Sequence, residues 1–263
     1  MKFGFCTNID NYQLLADLGY DYIELSGREI LTYSPEKMKE VLKILSDGPV
    51  SCCGFNSTIP VEVPIVGEGF SPEKTSECAK RLCFAAAFLG ASNIGIGSPA
   101  SRRLPKGYDM ARADDEARQF LTIFSQEASQ YHINILWEHL NYEESNYCIT
   151  WKDGLKLVHS LNLPNVALVC DLYHIHTNGE SLLDLSLDPS AIGHVHMAQK
   201  SDGLRVALLP EYKDIYKEFL FTLMGLGYDG TVSVEPINGQ ASDQAELSLN
   251  IMKEIISQWK KQL

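Results

Sequence analysis

No two cysteines in the 263 residues are spaced C-x-x-C, which removes the usual thiolate zinc site from consideration. The seven that occur are Cys6, Cys52, Cys53, Cys78, Cys83, Cys148 and Cys170. They are odd in number and lie mostly inside apolar runs, the pattern of reduced, buried thiols in a cytoplasmic protein. No apolar stretch reaches roughly 18 residues, and no export signal is legible at the N-terminus, so neither membrane spanning nor secretion is expected. Positive charge is scarce. Lys and Arg number 22 against 34 Asp and Glu, a net charge of −12. Such a chain repels phosphate backbones and carries no basic footprint for nucleic acid. No G-x-G-x-x-G follows the first strand-like run, which argues against a dinucleotide-binding open sheet. Nor does any Gly/Ser-rich linker or break in composition divide the chain, so residues 1–263 are expected to form one domain.

What is present is a regular alternation. Hydrophobic residues make up 45% of the chain, with 12 Tyr, 10 Phe and 3 Trp, enough for a full core. Short strand-like runs occur at Lys2–Thr7, Tyr22–Leu25, Val50–Phe55, Asn93–Ile96, Ile133–Trp137, Val166–Cys170, Gly193–Met197 and Thr231–Val234. Helical patterns separate them. Ser34-Pro35-Glu36 and Ser71-Pro72-Glu73 each supply a cap residue, a proline at the first helical position and an acidic first turn. Gly19, Gly90 and Gly227 supply stop signals. Further helices are expected over Met110–Tyr131, Thr150–Leu161, Glu211–Leu226 and Ala245–Leu263, with a short one near Ser181–Leu185. Eight strands alternating with eight helical segments predict an α/β fold, a single (β/α)8 TIM barrel.

The stretch Val166–His176 carries the functional signal. It reads V-A-L-V-C-D-L-Y-H-I-H, a β-branched apolar run followed by Asp171 and His174. In a barrel, the C-terminal ends of the strands are where chemistry sits. Three other runs finish the same way, at Glu138, His196 and Glu235. Neighbouring strands bring these four ends together. Three converging carboxylates repel unless protonated or given a cation. One imidazole and three carboxylates form an oxygen-rich site for one divalent metal ion, suited to Mn²⁺, with Mg²⁺, Co²⁺ and Zn²⁺ as alternatives. His194, two residues before His196, either points inward with it or supports it from behind. His139 and His176 are expected to be structural, and Trp137 to pack between barrel and helices. Arg102 and Arg103, with Lys106 nearby, form a basic pair beyond strand four. A guanidinium fork there suits a substrate carboxylate or phosphate, the alternatives being a solvated loop or a subunit contact.

Four motifs, Glu138-His-Leu-Asn141, Asp171-Leu-Tyr-His174, Gly193-His-Val-His196 and Val234-Glu235-Pro236, resemble the xylose isomerase-like barrel superfamily. They are most similar to its sugar phosphate isomerase/epimerase members, in particular the ketose 3-epimerase branch. The resemblance is close over strands five to eight and loose over Tyr22–Gly27. It implies that Glu138, Asp171, His196 and Glu235 hold the metal, and that Glu138 and Glu235 double as the acid/base pair. It further implies that His174, Glu144 and Asn141 contact a small sugar. In that chemistry a chelated carbonyl and hydroxyl stabilise an enediolate, and the two carboxylates remove and return the proton. The implied activity is a metal-dependent isomerase or epimerase of carbohydrate metabolism. Homo-oligomers are common in the family.

The chain also departs from the 3-epimerase pattern. Tyr142 stands where those enzymes carry an arginine after Glu-x-x-Asn, and Asp202 where they carry another six residues past the metal histidine. Lys200 and Arg205 lie near the second position at a different spacing, and Arg205 is expected to contact the substrate in its place. An inosose-type dehydratase (a lyase) on the same metal site is the alternative reaction, and a non-catalytic sugar- or metal-binding barrel the alternative role. The three-metal DNA repair enzymes of the superfamily use further histidines. Here strand three ends at Asn56, strand four at Gly97-Ser98, and Asp202-Gly203-Leu204 supplies none.

Overall fold

A computed structural model describes residues 1–237 and 242–262. Among them, eight parallel strands close into a barrel. In chain order these are β1 (Lys2–Cys6), β2 (Tyr22–Ser26), β3 (Ser51–Asn56), β4 (Asn93–Ile96), β5 (Asn134–Glu138), β6 (Val166–Asp171) and β7 (Ile192–Met197). A two-stranded hairpin, β8 (Gln199–Ser201) and β9 (Leu204–Val206), intervenes before the last barrel strand, β10 (Thr231–Val234). β10 pairs with both β1 and β7, closing the ring. The chain is a single (β/α)8 TIM barrel.

The helices are α1 (Tyr12–Leu18), α2 (Gly27–Ile30), α3 (Pro35–Asp47), α4 (Pro72–Leu89), α5 (Met110–Ser129), α6 (Trp151–Leu161), α7 (Leu172–Asn178), α8 (Lys213–Gly225) and α9 (Ser242–Lys260). Local chemistry sets their ends. The hydroxyls of Ser34 and Ser71 accept from Lys37 N and Lys74 N, satisfying amides that the first helical turn leaves open. Thr150 and Asp153 cap α6 reciprocally. The helix expected to run to Leu263 covers Ser242–Lys260, and Leu263 itself lies outside the described residues.

Two elements differ from the sequence expectation. Leu172–Asn178 is helical, because the Asp171 carboxylate caps it by accepting from Tyr173 N at 2.7 Å. The segment near Ser181 is only a 3-10 turn over Leu182–Leu187. The hairpin was not expected. Its two-residue turn, Asp202-Gly203, has positive φ at both positions (50° and 77°), the twist that matches a tight hairpin.

The core lies on both sides of the sheet. Phe5, Ile23, Phe55, Ile94, Ile135, Leu168, Val195 and Val232 are buried, as are Leu82, Phe120, Phe124, Phe219 and Met252 from the helices around them. Among the described residues no helix is long and apolar enough to cross a membrane. All seven cysteines are free.

Candidate active site

Register places the chemistry. Asp171 on β6 lies opposite His196 on β7, and His196 lies opposite Ser233 on β10, two residues before Glu235. Glu138 closes β5 beside Val169 of β6. One ligand atom each from Glu138, Asp171, His196 and Glu235 lies within 4.8 Å of the others. Strand ends separated by nearly a hundred residues thus converge at the C-terminal mouth. Gly97, at the end of β4, makes room for this cluster. A Cβ there would sit 2.2 Å from Glu138 Oε2.

The cluster lies beneath a cavity of about 670 Å³ whose lining includes Glu138, Glu144, His174, Arg205 and Glu235. His196 Nδ1 is 3.1 Å from both Glu138 Oε1 and Glu235 Oε2. Asn56 Nδ2 donates to Glu235 Oε1 at 3.2 Å. Asn141 sits under the rim as an organiser. Its Oδ1 accepts from Glu143 N and Glu144 N, and its Nδ2 reaches Glu144 Oε1 at 3.2 Å and His174 Nδ1 at 2.9 Å. Nδ1 thus accepts from Asn141, and Nε2 of the neutral ring lies 3.5 Å from both Asp171 Oδ2 and Arg205 Nη1.

Arg205, expected to contact substrate, lines the cavity and is tied to two of the acids. The β8–β9 hairpin folds back so that Nη2 donates to both Asp171 Oδ2 and Glu235 Oε2. Its guanidinium carbon stacks 4.7 Å over the Tyr173 ring, while Lys200 on the same hairpin pairs with Glu143 at 2.6 Å. The Asp-Gly pair was the sequence signal for this hairpin.

The charges are unequal. Burial raises Glu138, and its neighbour Glu235 raises it further, to about 7. Burial acts the same way on Asp171 and Glu235, but Arg205 and the neighbouring histidines together outweigh it, and both stay below the ordinary carboxylate range. Burial opposes protonation of His196, yet Glu235 and Glu24 together hold its pKa well above the usual value. Burial keeps His174 neutral. Arg205 and His196 therefore supply the positive charge that three converging carboxylates demand. A divalent cation meets the same demand, and one nitrogen with three carboxylate oxygens is a donor set that fits it.

Arg102 is not at the cavity. It is fully buried, donates from Nη2 to the Glu138 carbonyl at 2.5 Å and stacks 4.5 Å over Trp137. The expected anion fork is therefore corrected: packing of the β4–β5 loops turns this guanidinium inward. Arg103 is exposed and bonds the Glu143 carbonyl at 3.1 Å. His139 is buried beside Trp151 and His174.

Sequence reasoning also passed over Glu24. It lies inside β2, 4% exposed, with His194 Nε2 2.5 Å from Oε1 and His196 Nε2 3.3 Å from Oε2. An acidic residue in the middle of the apolar run Tyr22–Leu25 was the available signal.

Acids and a histidine gathered at the C-terminal mouth of a closed parallel barrel form a group that could hold a cation. The xylose isomerase-like TIM barrel model matches residues 12–255, and the chain belongs to that family. It is similar to the D-psicose 3-epimerase of Agrobacterium fabrum (strain C58 / ATCC 33970), 23% identical over 234 residues, which cover 84% of this chain and 76% of that one. To the ketose 3-epimerase of Arthrobacter globiformis it is 28% identical over 109 residues, 41% of this chain and only 36% of that relative's length. The crystal structure of the IOLI protein with a binding zinc atom shares the fold, with a TM-score of 0.72 at 19% identity over 97% of this chain and 96% of that one.

Proposed function

We propose that this barrel, acting as one domain over residues 1–263, moves a proton at the carbon beside a carbonyl of a small sugar or polyol-ketone, so that epimerisation or isomerisation results. The observation that carries the reading is the convergence of Glu138, Asp171, His196 and Glu235 within 4.8 Å under an open cavity. Those four residues would hold one divalent ion, with Mn²⁺ the best match to the donors. Such an ion supplies a Lewis acid that polarises a carbonyl and makes the neighbouring C–H more acidic. The zinc atom named in the IOLI structure accords with a cation in this fold.

The chain's own groups divide the remaining work. Glu138 and Glu235 are assigned as the acid/base pair, one carboxylate accepting the proton and the other returning one from the opposite face. His174 offers its Nε2–H to a substrate oxygen, with Asn141 fixing the ring. Glu144, oriented by the same asparagine, lines the cavity where a sugar hydroxyl would bind. The names of the two epimerase relatives put free ketoses first among substrates to try. The free cysteines support a cytoplasmic location.

The test is proton exchange by NMR. The Mg²⁺-loaded protein is incubated in D2O with free and phosphorylated ketoses, aldoses and inososes, and Glu235→Gln serves as control. Deuterium is expected beside the carbonyl together with a new epimer or isomer, and the control is expected to be slower by about 10²–10⁴-fold. Loss of a hydroxyl would replace the reading by a dehydratase. Exchange at wild-type rate in Glu235→Gln would remove that residue from the mechanism.

A further inference from the structure

The His196 ring has two faces to its surroundings. Nδ1 looks into the carboxylate cluster, 3.1 Å from Glu138 Oε1 and 3.1 Å from Glu235 Oε2. Nε2 looks the other way, into the barrel interior, 3.3 Å from Glu24 Oε2 and 4.0 Å from Cys6 Sγ. Glu24 is itself held on every side. Ser233 Oγ donates to Oε1 and lies 2.9 Å from Tyr22 OH, and His194 Nε2 lies 2.5 Å from the same oxygen. His194 is tied in turn to Thr231 Oγ1 at 2.6 Å. Cys6 on β1, Tyr22 and Glu24 on β2, His194 and His196 on β7 and Ser233 on β10 are buried, and Thr231 is half-buried.

An imidazole has one lone pair to give only when its other nitrogen keeps the proton, and a carboxylate beside that nitrogen decides which tautomer forms. We propose that Glu24 is a positioning residue for His196: it accepts the Nε2–H and so leaves Nδ1 unprotonated toward a divalent cation held with Glu138, Asp171 and Glu235. The inference rests on the cation-dependent reading given above and deepens it. Cys6, Glu24 and His196 also lie close enough to one another to hold an ion. The oxygens of Glu24 are already committed to Ser233, His194 and His196, however, which makes it a support for the ring and not a ligand. Nor does Glu24 line the cavity.

Calorimetric titration of Mn²⁺ and Zn²⁺ into wild type and Glu24→Gln tests this without recourse to turnover. The amide is expected to bind about 10- to 100-fold more weakly, because its NH2 can donate to Nε2 and favour the opposite tautomer. Zn²⁺-loaded wild type, followed by nitrogen–proton correlation of the imidazoles, is expected to show His196 protonated at Nε2. That spectrum needs no variant to fold. Equal affinity within about twofold, or a proton found on Nδ1, would overturn the role of Glu24 and leave the cation reading standing. Failure of wild type to bind either ion would overturn both. A fall in melting temperature of Glu24→Gln with unchanged affinity would make Glu24 a purely structural anchor, again against the proposal.

Discussion

Arg205 donates from Nη2 to the carboxylate of Glu235, 30 residues further along the chain. The pair exists only because a two-residue turn folds the β8–β9 hairpin over the barrel mouth. It brings a permanent positive charge into a cluster of acids, and the same nitrogen serves Asp171.

Removing that charge has a defined consequence. Arg205→Ala leaves two buried carboxylates without their guanidinium partner and is expected to cost the metal-free protein about 3–5 kcal/mol. Saturating Mn²⁺ restores much of the loss, because a ligand that binds the folded state stabilises it. Urea unfolding with chelator and with Mn²⁺ measures both. An identical loss in the two conditions would deny Arg205 this role.

Arg102 leads to a prediction about specificity. Facing Trp137 and the Glu138 carbonyl, it has no path to a substrate anion. Arg102→Met is expected to lower kcat for neutral and anionic sugars alike through Glu138, with their KM ratio unchanged within about twofold. Selective loss of affinity for phosphorylated or carboxylated substrates would reinstate the fork.

Acid stability follows from His139. Burial holds its pKa at about 4, against 6.5 for a free imidazole. Above pH 6.5 the ring is neutral folded or unfolded and costs nothing. As pH falls below 6.5 only the unfolded chain takes the proton, so stability is lost progressively until about pH 4. The total is about 3 kcal/mol for this group. His139→Gln is expected to flatten that part of the profile. Parallel slopes for variant and wild type between pH 6.5 and 4 would show that His139 is not responsible.

The part of the site that was legible lies in the strands themselves. Glu138, Asp171, His196 and Glu235 each end a short apolar run, and a parallel barrel aligns such ends by its construction. The helix starts at Ser34, Ser71 and Thr150 were legible for the same reason, since a cap acts on amides two or three residues away. Asp171 was legible as an acid at a strand end but not as a helix cap, and α7 was missed with it.

What the sequence determined alone is whatever depends on neighbours in the chain: the alternation of strands and helices, their caps, and four ligand-type residues at successive strand ends. Tertiary structure decided which way the long or buried side chains turn. Arg102 points into the protein, Arg205 reaches the acids from a hairpin, and Glu24 joins His194 and His196 from across the barrel. Those contacts link residues 30 to 172 positions apart. Barrel closure and loop packing set them, and no local pattern encodes a distance of that kind.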